Sequence, residues 1–147
     1  MKFKLIIDDK KDEEVVATVH ERSPLTDELE ALICRYTGAD RVIGYREEDM
    51  TVLSFSDIEC ITVLDGRTIA VMENGKQYRL KQRLYELEKI LPANFIRINK
   101  STLANEARLE RFSPSFSGAV DAVFKSGYRD YVSRRCFAQI KRRFDTK

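Results

Sequence analysis

Residues 95–105 have the sequence FIRINKSTLAN, in which a polar stretch separates two short, largely apolar runs. The runs Phe95–Ile98 and Thr102–Asn105 have the length and composition of β-strands. The residues between them, Asn99–Ser101, are polar and too few to form anything but a turn. The segment therefore predicts two neighbouring strands with a polar tip.

Two interpretations of this tip are open on the segment alone. The simpler one is an ordinary polar loop after a strand. The other is contact with nucleic acid, because an asparagine pairs bidentately with adenine, and a lysine reaches the acceptors of guanine or a phosphate. Asn99 and Lys100 are the residues that would make these contacts.

Short strand-like runs continue on both sides of this segment. The dipeptides Asp65-Gly66 and Asn74-Gly75 stand between such runs and are strong markers of β-hairpins. Residues 83–91 predict a short helix that ends at Pro92, and a last helix is expected after Ser133. The predicted fold is mainly β with small helices, of the α+β class. The predicted strands are Val42–Tyr45, Thr51–Phe55, Ile58–Leu64, Thr68–Glu73, Lys76–Leu80, Phe95–Ile98, Thr102–Asn105, Ala107–Arg111, Ala119–Phe124 and Gly127–Val132.

The N-terminal residues 1–43 predict a small β-β-α segment that precedes this domain. Its strands are expected at Phe3–Ile7 and Val15–Val19, and its helix runs from the N-cap Ser23 to Gly38. The segment is too small to bury a good core alone. Its helix either packs on the β domain or docks a protein partner or a second copy of the chain. The apolar face of the helix consists of Leu25, Leu29, Leu32, Ile33 and Tyr36.

The charge is distributed unevenly along the 147 residues, although the net charge is only +2. Residues 1–64 have eight basic and fifteen acidic side chains, a net charge of −7. Residues 65–147 have eighteen basic and nine acidic side chains, a net charge of +9. Such asymmetry favours a basic surface for phosphates or anionic lipid.

Arg134 and Arg135 occupy an unusual place for cations, in the first turn of the expected last helix. The helix dipole disfavours positive charge there by about 0.3–1 kcal/mol. A phosphate bound at the same place would receive backbone N–H groups and relieve the repulsion. This placement favours a functional role for the pair.

Composition excludes several classes of protein. The three cysteines are scattered and the only histidine is His20, so no zinc or iron–sulfur site is expected. Nucleotide-binding glycine motifs are absent, and no apolar run is long enough to span a bilayer. We therefore expect a protein of the reducing cytoplasm that is not an enzyme and has no catalytic residue, metal or cofactor.

Two segments together resemble a known family. Residues 95–105 resemble the central motif of LytTR-family DNA-binding domains, and Val132–Arg135 resembles the Val-Ser-Arg-Arg element that lies about 30 residues further on in the family. The resemblance extends over roughly residues 44–144. It implies a LytTR-like fold of short antiparallel β-sheets. It also implies that loop side chains enter successive major grooves without a helix-turn-helix.

The resemblance implies DNA-contacting positions in three places. They are a residue of the turn at Gly66-Arg67, then Lys100, then Arg135. Many family members have histidine where this chain has Asn99, which changes the base preference expected there. The full set of expected DNA-binding residues is Arg67, Asn99, Lys100, Ser101, Ser133, Arg134 and Arg135.

The resemblance further implies a bacterial-type transcription factor. Many family members have a receiver domain, but the 43 residues before the region of resemblance are too few for one, so a stand-alone regulator without a receiver domain is expected. Its expected partner is double-stranded DNA with promoter repeats, bound by a homodimer at least on DNA. Related regulators are often restrained by a small membrane protein, which is a further expected partner. Residues 1–43 would then serve dimerisation or docking, and residues 44–147 would be the DNA-binding domain. The alternatives are a protein–protein interaction module with a non-specific basic surface and, less well supported by the short last helix, attachment to a membrane surface.

Overall fold

The structure is a computed structural model that describes residues 1–37, 40–115 and 119–145. The described residues form three α-helices and ten β-strands. The helices are α1 (Pro24–Thr37), α2 (Leu84–Ile90) and α3 (Arg134–Asp145). The strands are β1 (Arg41–Arg46), β2 (Asp49–Ser54), β3 (Ile58–Leu64), β4 (Arg67–Met72), β5 (Gln77–Leu80), β6 (Phe95–Asn99), β7 (Thr102–Asn105), β8 (Leu109–Pro114), β9 (Val120–Phe124) and β10 (Arg129–Val132).

Seven of these strands form one antiparallel sheet, in the order β2-β1-β5-β4-β3-β7-β6. Its tight turns follow from local sequence. Asp65 and Gly66 join β3 to β4 with φ values of 51° and 74°, and Gly75 joins β4 to β5 with φ of 82°. In the β3–β4 turn, positive φ at both central residues gives the backbone twist that a two-residue hairpin needs. The β4–β5 connection is longer, residues 73–76, and only Gly75 in it has positive φ. The hairpins predicted from Asp-Gly and Asn-Gly are confirmed.

The large sheet has a hydrophobic layer on each face. Leu84 and Leu87 of α2 pack with Ile61 of β3 in one core cluster. The neighbouring Cys60 points to the opposite face, where it packs with Phe124 of the small sheet in a second cluster. The small sheet has the order β10-β9-β8, and α3 closes the second cluster through its buried Ile140. The prediction of a mainly β protein with small helices is confirmed.

The two strands predicted at the N-terminus are wrong. Phe3–Ile7 and Val15–Val19 have no strand conformation in the structure, and both runs are exposed. A β-branched run becomes a strand only where a neighbour supplies hydrogen bonds and packing, and no strand of the described residues pairs with these two. The expected β-β-α segment is therefore an irregular stretch followed by one helix.

Helix α1 begins at Pro24, as predicted, and none of its described side chains belongs to either core cluster. On its apolar face, Leu25, Leu32 and Tyr36 are exposed by 42%, 53% and 87%. The predicted end at Gly38 lies outside the described residues. The boundary expected after residue 43 falls within β1, which pairs with β2 and β5 of the large sheet.

Candidate nucleic-acid interface

Three loops meet at one end of the domain. Thr62 of β3 pairs with Thr102 of β7, so the turn after β3 and the turn before β7 are neighbours on the sheet edge. The backbone N–H of Val63 donates to the carbonyl of Ser101 at 3.0 Å, which joins the two turns directly. The backbone N–H of Ser133 donates to the carbonyl of Ile98 at 2.9 Å. The start of α3 therefore lies beside the end of β6.

The first loop is the β3–β4 turn. Its two central residues, Asp65 and Gly66, adopt positive φ and reverse the chain within two residues. Arg67 follows as the first residue of β4 and pairs with Leu64 in the ladder. Its side chain is exposed, so the turn presents a guanidinium group at the sheet edge.

The second loop is the β6–β7 turn, with Lys100 exposed at its tip. Its shape is held by Asn99, whose Oδ1 accepts from the backbone N–H of Ser101 at 2.8 Å. The carbonyl of Lys100 accepts from Nη1 of Arg97 at 2.8 Å. Backbone groups on both sides of Lys100 are thus fixed, while its ammonium group faces solvent.

Asn99 itself is not at the surface, although the sequence favoured a DNA contact there. Its side chain is 1% exposed. Nδ2 donates to the carbonyl of Tyr131 at 2.8 Å and lies 3.4 Å from Oδ1 of Asp130. The amide nitrogen and the amide oxygen of Asn99 both have partners within the protein. The side chain therefore lies behind the β6–β7 turn and holds its backbone in position.

The third loop is the junction of β10 and α3. Ser133 caps the helix as predicted, since its Oγ accepts from the backbone N–H of Cys136 at 3.2 Å. Arg134 and Arg135 occupy the first turn and are exposed. Backbone N–H groups of the first helical turn and the positive end of the dipole lie at the same place, which suits an anion.

One carboxylate connects the second and third loops. Asp130 accepts from the backbone N–H of Tyr131 at 2.8 Å and from Oγ1 of Thr102 at 2.6 Å. Oγ1 of Thr102 is also 2.7 Å from Oγ1 of Thr62. Since the proton of Thr102 is directed to Asp130, Thr62 donates to Thr102. The chain of hydrogen bonds runs from β10 through β7 to β3, beneath all three loops.

Sequence reasoning missed the part that Asp130 and Thr102 play. A signal was present for Asp130, which is one of only two acidic residues in the strongly basic stretch from Lys125 to Lys147. Threonine is common in strands, so Thr102 does not stand out in the sequence, and nothing in the sequence indicates that it bonds to Asp130.

The arginines of the domain fall into two groups. Several are paired with carboxylates: Arg97 with Glu88 at 2.5 Å, and Arg108 with Glu73 at 2.6 Å. In the described part of the chain, no carboxylate pairs with Arg67, Lys100, Arg134 or Arg135. These cations at the three loops are the ones that the resemblance selects.

Two weak acids behind the loops, the buried Cys60 and the half-buried Tyr128, have raised pKa values. Burial, with the charges of Asp130 and Glu59 adding to it, raises the pKa of the Cys60 thiol well above its usual range. Burial first, then Cys60 and Asp130, raises the pKa of Tyr128 to about 12. Both groups are protonated at neutral pH, so neither supplies a nucleophile.

Within residues 1–37, 40–115 and 119–145, no three His, Cys, Asp or Glu side chains lie close enough together to hold a metal ion. No helix in the same ranges is long and apolar enough to cross a membrane.

Comparison with known proteins agrees with this geometry. The sequence profile of the LytTr DNA-binding domain matches residues 48–145. This chain belongs to the LytTR family. The family is a class of DNA-binding domains rather than of enzymes.

Full-length relatives are found in Staphylococcus aureus. One, an uncharacterised HTH-type transcriptional regulator of strain MSSA476, is 32% identical over 146 residues, covering 97% of each chain. Its counterpart in strain NCTC 8325 is 31% identical over the same length. In this LytTR-family chain, five strands separate α2 from α3, so no two consecutive α-helices of the described residues form a helix-turn-helix.

A solved structure shares the fold. The LytTr DNA-binding domain of a response regulator from Bacillus cereus matches with a TM-score of 0.64 and 21% sequence identity. The match covers 70% of this chain and 94% of that domain. The expected LytTR-like fold of short antiparallel sheets is confirmed.

Proposed function

We propose that this protein is a transcriptional regulator that binds double-stranded DNA sequence-specifically, by inserting loop side chains into the major groove. The observation that carries the proposal is the meeting of three loops at one end of the domain, each with an exposed cation that no described carboxylate pairs. The match to a DNA-binding family and the names of the staphylococcal relatives support it.

The three loops divide the work of recognition. Lys100 and Arg135 are the base-reading side chains, because each is exposed on a backbone that hydrogen bonds hold, Lys100 at the tip of the β6–β7 turn and Arg135 in the capped first turn of α3. A good contact of this kind to guanine is worth about 1–3 kcal/mol of discrimination. Arg67 contributes from the β3–β4 turn, and Arg134 adds a phosphate contact beside Arg135.

Three other expected site residues act by holding this surface in place. Asn99 fixes the β6–β7 turn from below, and Ser133 caps α3 and joins it to β6. Ser101 is half-buried and links the same turn to β3 through its carbonyl group. These residues orient Lys100 and Arg135 rather than contact bases, Asn99 and Ser133 through their side chains and Ser101 through its backbone.

Two protomers bind promoter repeats together in this proposal, and residues 1–37 join them. The segment exposes large apolar side chains, among them Ile7 by 91% and Tyr36 by 87%. The match to relatives covers 97% of the chain, so it includes most of this segment. A second copy would cover this apolar surface. A restraining membrane protein stays a prediction from the resemblance, and a cytoplasmic location stays a prediction from the scattered cysteines.

Sedimentation velocity tests the second copy in the full-length chain. Replacing Leu32 and Tyr36 with serine removes exposed apolar area from α1 without touching either core cluster. We expect the wild type to sediment as a dimer and the variant as a monomer. Glu28→Gln, an exposed change on the same helix, is the control. Identical species for all three proteins would remove α1 from the interface.

Selection from random duplexes tests DNA recognition without knowledge of the operator. Enriched sites are then compared with scrambled duplexes of equal length and composition by gel shift at physiological salt. We expect a preference for the enriched site of at least about 10³-fold, the lower end for specific regulators. Equal binding to both duplexes would favour an interaction module with a non-specific basic surface.

A further inference from the structure

A cleft of about 500 Å³ opens beside the β3–β4 turn. Four basic side chains line it: Arg67, Arg79, Lys81 and Arg83. The rest of its lining, within the described residues, is neutral and includes Val63, Thr68 and Gln82, with no aspartate or glutamate. Sequence reasoning did not single out Arg79, Lys81 or Arg83.

The sheet register explains why these cations come together. β4 begins at Arg67, and Thr68 pairs with Leu80 at the end of β5. The residues that leave β5, 81–83, therefore run along the same end of the sheet as the three loops. Arg79 is the last residue but one of β5 and is exposed. The basic edge thus continues past Arg67 toward β5.

Four positive charges in one cleft repel each other unless an anion is near. No carboxylate of the described residues forms an ion pair with the side chain of Arg67, Arg79 or Arg83. The carboxylate of Glu86 accepts from the backbone N–H of Arg83 at 3.0 Å, where it caps α2. The ammonium group of Lys81 lies 4.7 Å from the centre of the Tyr45 ring, an interaction that leaves its charge in place. A concave surface lined by one sign of charge concentrates the field and attracts polyanions.

We propose that this cleft binds backbone phosphates of the DNA, outside the base pairs read by the three loops. The proposal rests on the proposed function and extends its DNA-binding surface. β7 and β5 are three strand spacings apart in the sheet, roughly 14 Å at about 4.8 Å per spacing. Roughly 14 Å corresponds to about four base pairs of rise, since each strand of B-DNA rises about 3.4 Å per charge. The cleft therefore adds sequence-independent binding beside the base-reading loops.

The salt dependence of binding tests the cleft in the full-length protein. The variant is Arg79→Gln with Arg83→Gln, measured by fluorescence anisotropy on the enriched duplex and on its scrambled counterpart. Each phosphate that the protein no longer neutralises lowers the slope of log K against log salt by about 0.9, so we expect a fall of about 1.8. The loss of affinity should be equal on both duplexes. The lysine variants, Arg79→Lys with Arg83→Lys, should restore most of the slope because they keep the charge.

Lys76→Gln is the matched control, because Lys76 follows the β4–β5 turn at the opposite end of the same two strands. It should leave the slope unchanged. If the slope is unchanged in the double glutamine variant while the wild type prefers the enriched duplex, the cleft does not bind phosphates and the proposed function still stands. A lowered slope with no preference for the enriched duplex would keep the cleft as a DNA-binding surface and overturn specific recognition. A wild type that binds neither duplex would overturn both.

Discussion

Replacing Asn99 with alanine removes the side chain that shapes the β6–β7 turn and anchors it to β10. The change deletes two hydrogen bonds of 2.8 Å, one to the carbonyl of Tyr131 and one from the backbone N–H of Ser101. A third approach, to Asp130 at 3.4 Å, is too long to contribute much. The exposed side chain of Lys100 is not altered by the substitution itself.

The two short bonds set the size of the effect on stability. Each contributes about 1 kcal/mol net, and leaving a buried partner unsatisfied adds to the cost. Both bonds are only partly buried, so the added cost stays at the low end. We expect Asn99→Ala to lower the free energy of unfolding by about 2–3 kcal/mol. For a chain of this size, that corresponds to a Tm lower by roughly 4–12 °C.

The effect on DNA binding passes through Lys100. Urea denaturation measures stability, and anisotropy titrations well below both Tm values measure affinity for the enriched duplex. If Asn99 orients Lys100, its replacement costs less affinity when Lys100 is already alanine, with a coupling energy of about 0.5–3 kcal/mol. Asn74→Ala is the control, because Asn74 makes a similar local bond to the N–H of Lys76 in an exposed turn.

A different pattern would refute this reasoning. An asparagine that reads a base would leave stability unchanged on replacement and would relax the preference at one base pair. Suppose that Asn99→Ala is as stable as the wild type and shows that relaxed preference. The side chain must then turn outward to contact DNA, and the buried conformation of the free protein is not the one that binds.

Three further outcomes are expected. Arg135→Ala should weaken binding to the enriched duplex by about 1–3 kcal/mol and bring it nearer the scrambled one, and a gel shift with unchanged affinity would remove Arg135 from the site. Gly66→Ala should lower the free energy of unfolding, measured in urea, by about 1–2 kcal/mol, because a φ of 74° is unfavourable for alanine. A Cβ at this position meets no other atom, so no steric clash adds to the loss. An unchanged free energy of unfolding would contradict a rigid turn. The unfolded tyrosine ionises near its usual pKa of 10 whereas folded Tyr128 holds its proton to about 12, so stability should fall as pH rises through that interval. Urea midpoints for Tyr128→Phe should lack this part of the fall, and an identical pH profile would contradict it.

Local signals made the β domain predictable. The bounds expected for β3 and β7 are those observed, because each run is apolar and stands next to a turn with its own chemistry. β8 begins at Leu109 instead of Ala107, because Oδ1 of the buried Asn105 accepts from the N–H of Ala107 and starts a short 3₁₀ turn. The sequence shows an asparagine there but not that its side chain is turned toward the backbone.

Features that depend on distant residues were not predictable. Phe3–Ile7 has good strand composition, yet a strand needs a partner, and the pattern says nothing about one. The place of Asn99 depends on Tyr131, which is 32 residues away in the chain. The candidate positions were proposed from motif and spacing, whereas which of them are exposed and which are buried came only from the fold.

The bond from the N–H of Ser133 to the carbonyl of Ile98 has an evolutionary consequence. It holds the start of α3 beside the end of β6, whatever side chains stand at positions 100 and 135. If Lys100 and Arg135 read bases as proposed, relatives with this frame can change the base pairs of their operators by single substitutions at these two positions. The number of base pairs between the two contacted positions would change only if the arrangement of strands in the sheet changed. The operators of such relatives should therefore differ in the identity of the contacted base pairs but share one spacing between them.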